Sequence, residues 1–119
     1  MTRLSHALAC CVAALAAGSA HAHALLQASE PANDSSLAAS PAVVTLHYNE
    51  PVEVAMSRVR LVGPGNATVE VGKAARAAGD DRTLVVSIPR LSSGDYRLEW
   101  STMGPDGHLT KGILRFKVR

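Results

Sequence analysis

The chain has 119 residues, with 12 Lys and Arg against 10 Asp and Glu, which gives a formal net charge of +2 at pH 7. This balance excludes the basic excess of a nucleic-acid-binding domain, and the length excludes two independent cores. The only cysteines, Cys10 and Cys11, lie near the start of the chain, so a domain that begins later has no pair for a disulfide and no thiolate for a metal.

Residues 1–22 have the pattern of a secretory signal peptide. A basic start with Arg3 is followed by an uncharged, largely apolar stretch over residues 7–17 and then by the small-x-small triplet Ala20-His21-Ala22, which is typical of a cleavage site. The apolar stretch is too short to span a membrane. We therefore predict export to the periplasm, removal of residues 1–22, and one domain over residues 23–119 whose net charge is near +1.

The position of the cut decides which residue is first in the mature chain. A cut after Ala22 makes it His23, whose free α-amine and imidazole offer two nitrogen ligands to one metal ion. A cut after Ala20 leaves His21-Ala22-His23 instead, which can bind Cu(II) through its amine, two amides and third-position imidazole. A cut after Ala24 leaves no histidine at the terminus.

The rest of the chain reads as short β-strands separated by turn residues, without apolar spacing at helical period. About seven short strands in about a hundred residues predict an all-β fold, a small immunoglobulin-like β-sandwich of Greek-key type. Residues 72–81 have no clear pattern and are predicted as a loop or an irregular edge. The predicted strands cover residues 24–28, 43–48, 54–62, 68–71, 83–88, 96–101 and 114–119.

Apolar side chains that alternate with polar ones predict the core of this sandwich. The clearest alternation runs from Tyr96 to Ser101. The predicted core consists of Val44, Leu46, Val59, Leu61, Val86, Leu98, Trp100, Leu114, Phe116 and Val118.

The loop before the last strand carries two candidate metal ligands. Asp106 and His108 are two residues apart, which lets a carboxylate and an imidazole point to one side of an extended segment, and Gly107 keeps the approach open. If the loop lies beside His23, the amine and both rings join a carboxylate oxygen in an N₃O set that suits Cu(II). An isolated Asp-x-His is more often a solvated turn, so the hypothesis depends on the terminal histidine.

Further motifs follow the cleavage site in a fixed order and are spread over almost all of residues 23–119. They are Leu26, Ser29-Glu30-Pro31-Ala32, Leu46-His47-Tyr48-Asn49-Glu50, Gly94-Asp95-Tyr96-Arg97-Leu98-Glu99-Trp100, Asp106-Gly107-His108 and residues 112–117. With these motifs, the sequence resembles the CopC family of periplasmic copper-resistance proteins. The resemblance implies a small β-sandwich that binds one Cu(II) per chain through His23, Asp106 and His108. It also implies a monomeric carrier or buffer, not an enzyme, with a CopD-like inner-membrane copper transporter as partner.

The resemblance also bears on Glu50 and on the methionines. Glu50 stands where some family members place an acid near the metal, so it is a candidate weak or outer ligand; a solvated acid before Pro51 is the alternative. Well-known members carry a methionine-rich segment that forms a separate Cu(I) site, because thioethers favour the monovalent ion. Residues 56–71 contain Met56 alone, so we predict no Cu(I) site here.

Two other functions are compatible with the same residues. A histidine-brace copper monooxygenase also pairs a terminal histidine with a second one. Against it, the chain has one Trp, two Tyr and one Phe, too few for a flat glycan-binding surface, and an aspartate ligand would occupy a position that oxygen chemistry needs. The remaining alternative is a structural β-sandwich module with no metal.

Overall fold

The structure of the protein is a computed structural model that describes residues 23–119. Its regular structure is β apart from two single-turn 3₁₀ helices, Val54–Met56 and Pro64–Asn66. No helix in this part of the chain has the length and apolar character needed to cross a membrane. The strands are β1 (Leu26–Glu30), β2 (Ser35–Leu37), β3 (Val43–Tyr48), β4 (Arg58–Val62), β5 (Thr68–Val69), β6 (Ala75–Ala77), β7 (Asp80–Ser87), β8 (Gly94–Met103) and β9 (Leu109–Val118).

The strands form two sheets that enclose one core. The four-stranded sheet has the order β1-β3-β7-β6, and the five-stranded sheet has the order β2-β9-β8-β4-β5. The prediction of an all-β sandwich is confirmed, with nine strands instead of about seven. The two additional strands are β2 and β6, which have three residues each, too few for alternation to show in the sequence.

The hairpin of β8 and β9 is the longest element of the fold. Its register runs without a shift from Gly94 opposite Val118 to Met103 opposite Leu109. Every second side chain is buried from Tyr96 to Thr102 on β8 and from Leu114 to Val118 on β9, as the alternation predicts. The loop over residues 104–108, which carries the candidate ligands, is therefore held at the end of a regular two-stranded ladder.

Nine of the ten predicted core residues are buried, and Val59 is partly buried against them. Trp100 lies against β9 at Gly112, where a Cβ would approach its Cζ2 to 2.5 Å. A glycine is therefore required for the indole to lie on the neighbouring strand. The ring of Tyr48 meets Trp100 edge-on, with centroids 5.3 Å apart. The buried apolar residues outside the predicted core are Ala24, Tyr48, Val52, Val62, Leu84, Ile88, Leu91 and Tyr96.

Three segments differ from their predicted conformation or refine it. The strand predicted over residues 54–62 begins only at Arg58, because the backbone N–H of Ser57 bonds the carbonyl of Val54 and its hydroxyl bonds the carbonyl of Glu53. Residues 72–81 contain the edge strand β6, so the irregular edge is the correct alternative. Residues 35–37, for which no strand is predicted, form β2, which pairs in parallel with β9.

Candidate metal site

The structure brings His23, Asp106 and His108 together at one end of the sandwich. Each offers one ligand atom, and these three atoms all lie within 4.8 Å of one another. Nδ1 of His23 is 2.8 Å from Oδ2 of Asp106, and Nδ1 of His108 is 3.0 Å from the same oxygen. The two ring centroids are 5.2 Å apart and the planes are tilted by 59°. Two imidazoles therefore converge on a single carboxylate oxygen.

The segment after His23 is fixed by contacts with distant parts of the chain. The side chain of Ala24 is completely buried, and its carbonyl accepts a 2.7 Å hydrogen bond from the hydroxyl of Thr110. The backbone N–H of Leu25 donates to Oδ1 of Asn49 at 2.7 Å, and the N–H of Asn49 donates to the carbonyl of Leu25 at 3.0 Å. These bonds set the path of the chain beside His23 and so limit where its ring can lie.

The loop that supplies Asp106 and His108 is held by local bonds. The N–H of Gly107 donates to the carbonyl of Gly104 at 3.1 Å, and the N–H of His108 donates to Oδ1 of Asp106 at 3.1 Å. The i, i+2 spacing does not act through extended geometry, because Asp106 closes a turn through its own side chain. Gly107 has φ 76°, and a Cβ there would meet nothing within 4 Å. Its role is therefore to adopt left-handed backbone geometry, and open space is not the reason for the glycine.

Asp106 is poised to remain ionised at neutral pH. The backbone N–H of His108 holds the pKa of this carboxyl below its usual range; burial opposes that shift, and the hydrogen bond from the His108 ring and the charges of both histidines support it. The side chains of His23 and His108 are 40% and 69% exposed, whereas that of Asp106 is 20% exposed. An ion could thus reach the cluster from solvent without any part of the core opening.

The other residues considered as ligands lie outside this cluster. Glu50, the candidate weak or outer ligand, is not one of its three members, and a place near the metal stays a prediction for it. His47 points away from Leu46, and its Nδ1 contacts the hydroxyl of Thr83 at 3.0 Å, as expected for a satisfied strand histidine.

Two residues that shape the cluster were not identifiable from the sequence. The side chains of Asn49 and Thr110 bond backbone atoms 24 and 86 residues away along the chain. No local pattern reports such a pair. The nearest signal for Asn49 is its place in the motif Leu46-His47-Tyr48-Asn49-Glu50, where it marks only the end of a strand.

Residues 26–119 match the family model of the CopC domain. The chain belongs to the CopC family. The resemblance seen in the sequence is thus confirmed over nearly the whole described part of the chain. Among its relatives in the CopC family, protein YobA of Escherichia coli (strain K12) is 34% identical over 117 residues, which cover 98% of this chain and 94% of YobA.

Two copper resistance proteins are similarly related to this CopC-family chain. Copper resistance protein C of Xanthomonas campestris pv. juglandis is 34% identical over 113 residues, which cover 90% of this chain and 88% of that protein. The crystal structure of PcoC, a methionine-rich copper resistance protein from Escherichia coli, superimposes with a TM-score of 0.75 at 30% identity and covers 82% of this chain and 100% of that one. The two-sheet sandwich is therefore shared with a solved relative.

Proposed function

We propose that the mature protein is a periplasmic copper carrier or buffer that holds one Cu(II) at His23, Asp106 and His108. The observation that carries this proposal is the convergence of two imidazole nitrogens on one ionised carboxylate, with all three ligand atoms within 4.8 Å. Imidazole with carboxylate oxygen is a donor set that suits Cu(II). Copper is favoured over other divalent ions because relatives with this fold are copper resistance proteins.

The proposal includes removal of residues 1–22, so that His23 becomes the first residue. The nitrogen that His23 turns toward Asp106 is Nδ1. In a terminal histidine, Nδ1 and the α-amine of the same residue close a six-membered ring with a metal, and the amine then completes an N₃O set. Nε2 lies too far from the amine for such a ring. The observed ring orientation therefore supports a chelate at His23.

The site is better suited to carrying a copper ion than to catalysing a reaction at that ion. The histidines are exposed, which suits exchange of a cargo ion with a partner. The CopC family consists of copper-binding carriers, which favours this function over a histidine-brace monooxygenase. In the proposed pathway a CopD-like inner-membrane protein receives the copper from a monomeric carrier.

The carrier is proposed to handle Cu(II) alone. Within residues 23–119 the thioethers are those of Met56 and Met103, whereas PcoC is a methionine-rich protein. Met56 is 43% exposed in the 3₁₀ helix before β4, and Met103 lies opposite Leu109 at the end of the hairpin. Two separated thioethers do not make the soft ligand set that Cu(I) prefers. Such a protein would buffer one oxidation state and could not move copper between two sites of its own.

The test combines sequencing of the secreted protein with a Cu(II) titration followed by the fluorescence of Trp100. We expect His23 as the first residue, one Cu(II) per chain, quenching of Trp100, weaker binding of Zn(II), and loss of binding in acid as protons compete for the nitrogens. One alanine added before His23 should weaken binding by orders of magnitude, because it converts the amine to an amide.

The matched control is the mature protein with one alanine added after Arg119, which should bind as the wild type does. Equal affinity in the two extended proteins would contradict the proposed chelate. A secreted protein that begins at residue 21 or 25 would contradict the proposed cleavage, even if copper still bound.

A further inference from the structure

The outer face of the five-stranded sheet carries most of the basic side chains of the domain. On β9, Leu114, Phe116 and Val118 point into the core, so the residues that alternate with them point outward. The register with β8 and β4 extends this alternation across three strands. We call these outward residues the basic face: Arg58, Arg60, Asp95, Arg97, Glu99, Lys111, Ile113, Arg115 and Lys117.

The charge of the domain is distributed unevenly between this face and the remainder. Residues 23–119 contain 11 basic and 10 acidic side chains. Six of those basic residues but only two of the acidic ones belong to the basic face, which gives it a formal charge of +4 with histidines neutral. The remaining described residues then carry −3. The net charge of the domain is therefore near zero, although its charges are distributed unevenly over its surface.

The basic charges are only partly balanced within the face. Glu99 lies 3.6 Å from Arg60 and 3.2 Å from Arg97, and Lys117 is 3.7 Å from Asp95. Arg97 is directly opposite Arg115 in the antiparallel register, an arrangement of like charges that costs stability. Among the described residues, neither Arg115 nor Lys111 has an ion-pair partner. At Arg115 the face thus retains a cation opposite another cation, without an acid to balance it.

The layout of the face fits a plane of anions. The cations occupy four successive rows across β4, β8 and β9. Two cavities open among them, one lined in part by Asp95, Arg97, Arg115 and Lys117 and the other in part by Arg58, Arg60, Glu99 and Lys111. Ile113 is 44% exposed among the cations, and Leu109 is 61% exposed at the edge. Basic residues mixed with exposed apolar ones are typical of surfaces that lie on anionic bilayers.

We propose that the basic face docks the protein on the anionic phospholipid headgroups of a membrane surface. Beyond the last row, Met103 opposite Leu109, the chain continues into the loop with Asp106 and His108. Docking would therefore place the metal site at the edge of the contact, beside the bilayer in which a membrane-bound acceptor resides. The basic face shares no residue with the metal site, so the docking does not depend on the carrier proposal.

The experiment is cosedimentation of the mature protein with vesicles, with and without Cu(II). The wild type should bind vesicles that contain phosphatidylglycerol, should not bind vesicles of phosphatidylcholine alone, and should dissociate as salt is raised. The variant Lys111→Gln/Arg115→Gln/Lys117→Gln should bind the anionic vesicles at least about tenfold more weakly. The control Lys73→Gln/Arg76→Gln/Arg90→Gln removes the same net charge from exposed residues outside the face and should retain most of the binding.

Three results would overturn the docking. They are failure of the wild type to bind the anionic vesicles at low salt, equal losses in the two triple variants, and tighter binding to soluble polyglutamate than to vesicles, which would indicate an acidic protein partner. Circular dichroism and a copper titration check that each variant is folded. If a triple variant is not folded, the single variant Arg115→Gln is used in its place. Because copper affinity is measured separately, failure of the carrier proposal and failure of the docking are distinguishable.

Discussion

Asp80 and Asp106 lie at two turns of this sandwich that share the same local chemistry. Each aspartate accepts the backbone N–H of the residue two positions later, at 2.9 Å for Asp80 and 3.1 Å for Asp106. Beside each lies a glycine in left-handed geometry, Gly79 with φ 72° and Gly107 with φ 76°. In both turns the pKa of the carboxyl is lowered. The backbone alone therefore does not distinguish a structural turn from a candidate metal loop.

The two turns differ in the group that contacts Oδ2 of the aspartate. At Asp80 the hydroxyl of Thr83 donates to Oδ2 at 2.6 Å, so its oxygen must accept from Nδ1 of His47, 3.0 Å away. The hydroxyl thus keeps the imidazole away from the carboxylate. At Asp106 no such group intervenes, and two imidazole nitrogens face Oδ2 directly. The candidate metal cluster thus differs from the turn at Asp80 in having a second histidine from a distant segment and no hydroxyl between ring and carboxylate.

The largest expected effect comes from removing one histidine of each turn. His108→Ala should weaken Cu(II) binding by more than about a hundredfold, beyond the loss typical of a residue that only orients a ligand. His47→Ala removes an imidazole that Thr83 already satisfies, and copper affinity should be unchanged. Isothermal titration in competition with a chelator measures both. Similar losses in the two variants would contradict the distinction between the turns.

The next effect concerns the contact that brings His23 to Asp106. Asn49→Ala removes the acceptor of the Leu25 N–H, so the segment beside His23 should move more freely, and Cu(II) affinity should fall about tenfold. Loss of this hydrogen bond to Asn49 should also lower the free energy of unfolding by about 1 kcal/mol.

Asn33→Ala is the control for that variant. Its Oδ1 accepts the N–H of Arg115 at 2.9 Å, so it removes the same kind of bond away from the metal site. Denaturation by urea should show comparable destabilisation of the two variants, whereas the chelator competition should show weaker copper binding in Asn49→Ala alone. A copper affinity lowered equally in both would mean that stability, and not the position of His23, is responsible.

A smaller effect is expected from the two glycines. Gly107→Ala and Gly79→Ala each place a Cβ in left-handed geometry with nothing within 4 Å, so both should cost about 1 to 2 kcal/mol through backbone strain alone. Thermal denaturation should show similar losses. Only Gly107→Ala should weaken copper binding, by a few-fold, because only that turn positions two of the proposed ligands. A copper affinity untouched by Gly107→Ala would show that the turn is not needed in its observed form.

The smallest effect is a change in acid sensitivity at Asp80. The hydroxyl of Thr83, followed by the N–H of Arg82, lowers the pKa of this carboxyl from 3.8. Its stabilisation of the folded state is therefore complete above that value and is lost as the pH falls through the lowered pKa. Asp80→Asn should reduce the stability at pH 7 and flatten its loss below pH 4 in metal-free protein. Urea denaturation across this range should show the unfolding free energies of the wild type and of Asp80→Asn converging as the pH falls. A constant difference between the two would contradict a contribution of the ionised Asp80 to stability.

The sequence predicts those parts of the molecule that depend on near neighbours along the chain. Alternation is enough to place β3, β8 and β9, and the i, i+2 spacing brings Asp106 and His108 together even though their geometry is a turn. Asn49 and Thr110 escape prediction because their partners lie far away in the chain. The basic face could not be predicted from the sequence for a similar reason. Each of its cations is an ordinary outward-facing residue, and only the pairing of β4 with β8 brings them onto one surface.

The burial of Ala24 has a consequence for when the protein can work. Because its side chain is enclosed and its carbonyl is held by Thr110, the backbone next to His23 is fixed in place. Under the proposed cleavage, an unprocessed precursor has an amide at His23 where the chelate needs an amine. Loading with copper would then wait for the signal peptidase, so the precursor in the cytoplasm could not withdraw copper from that compartment through this chelate.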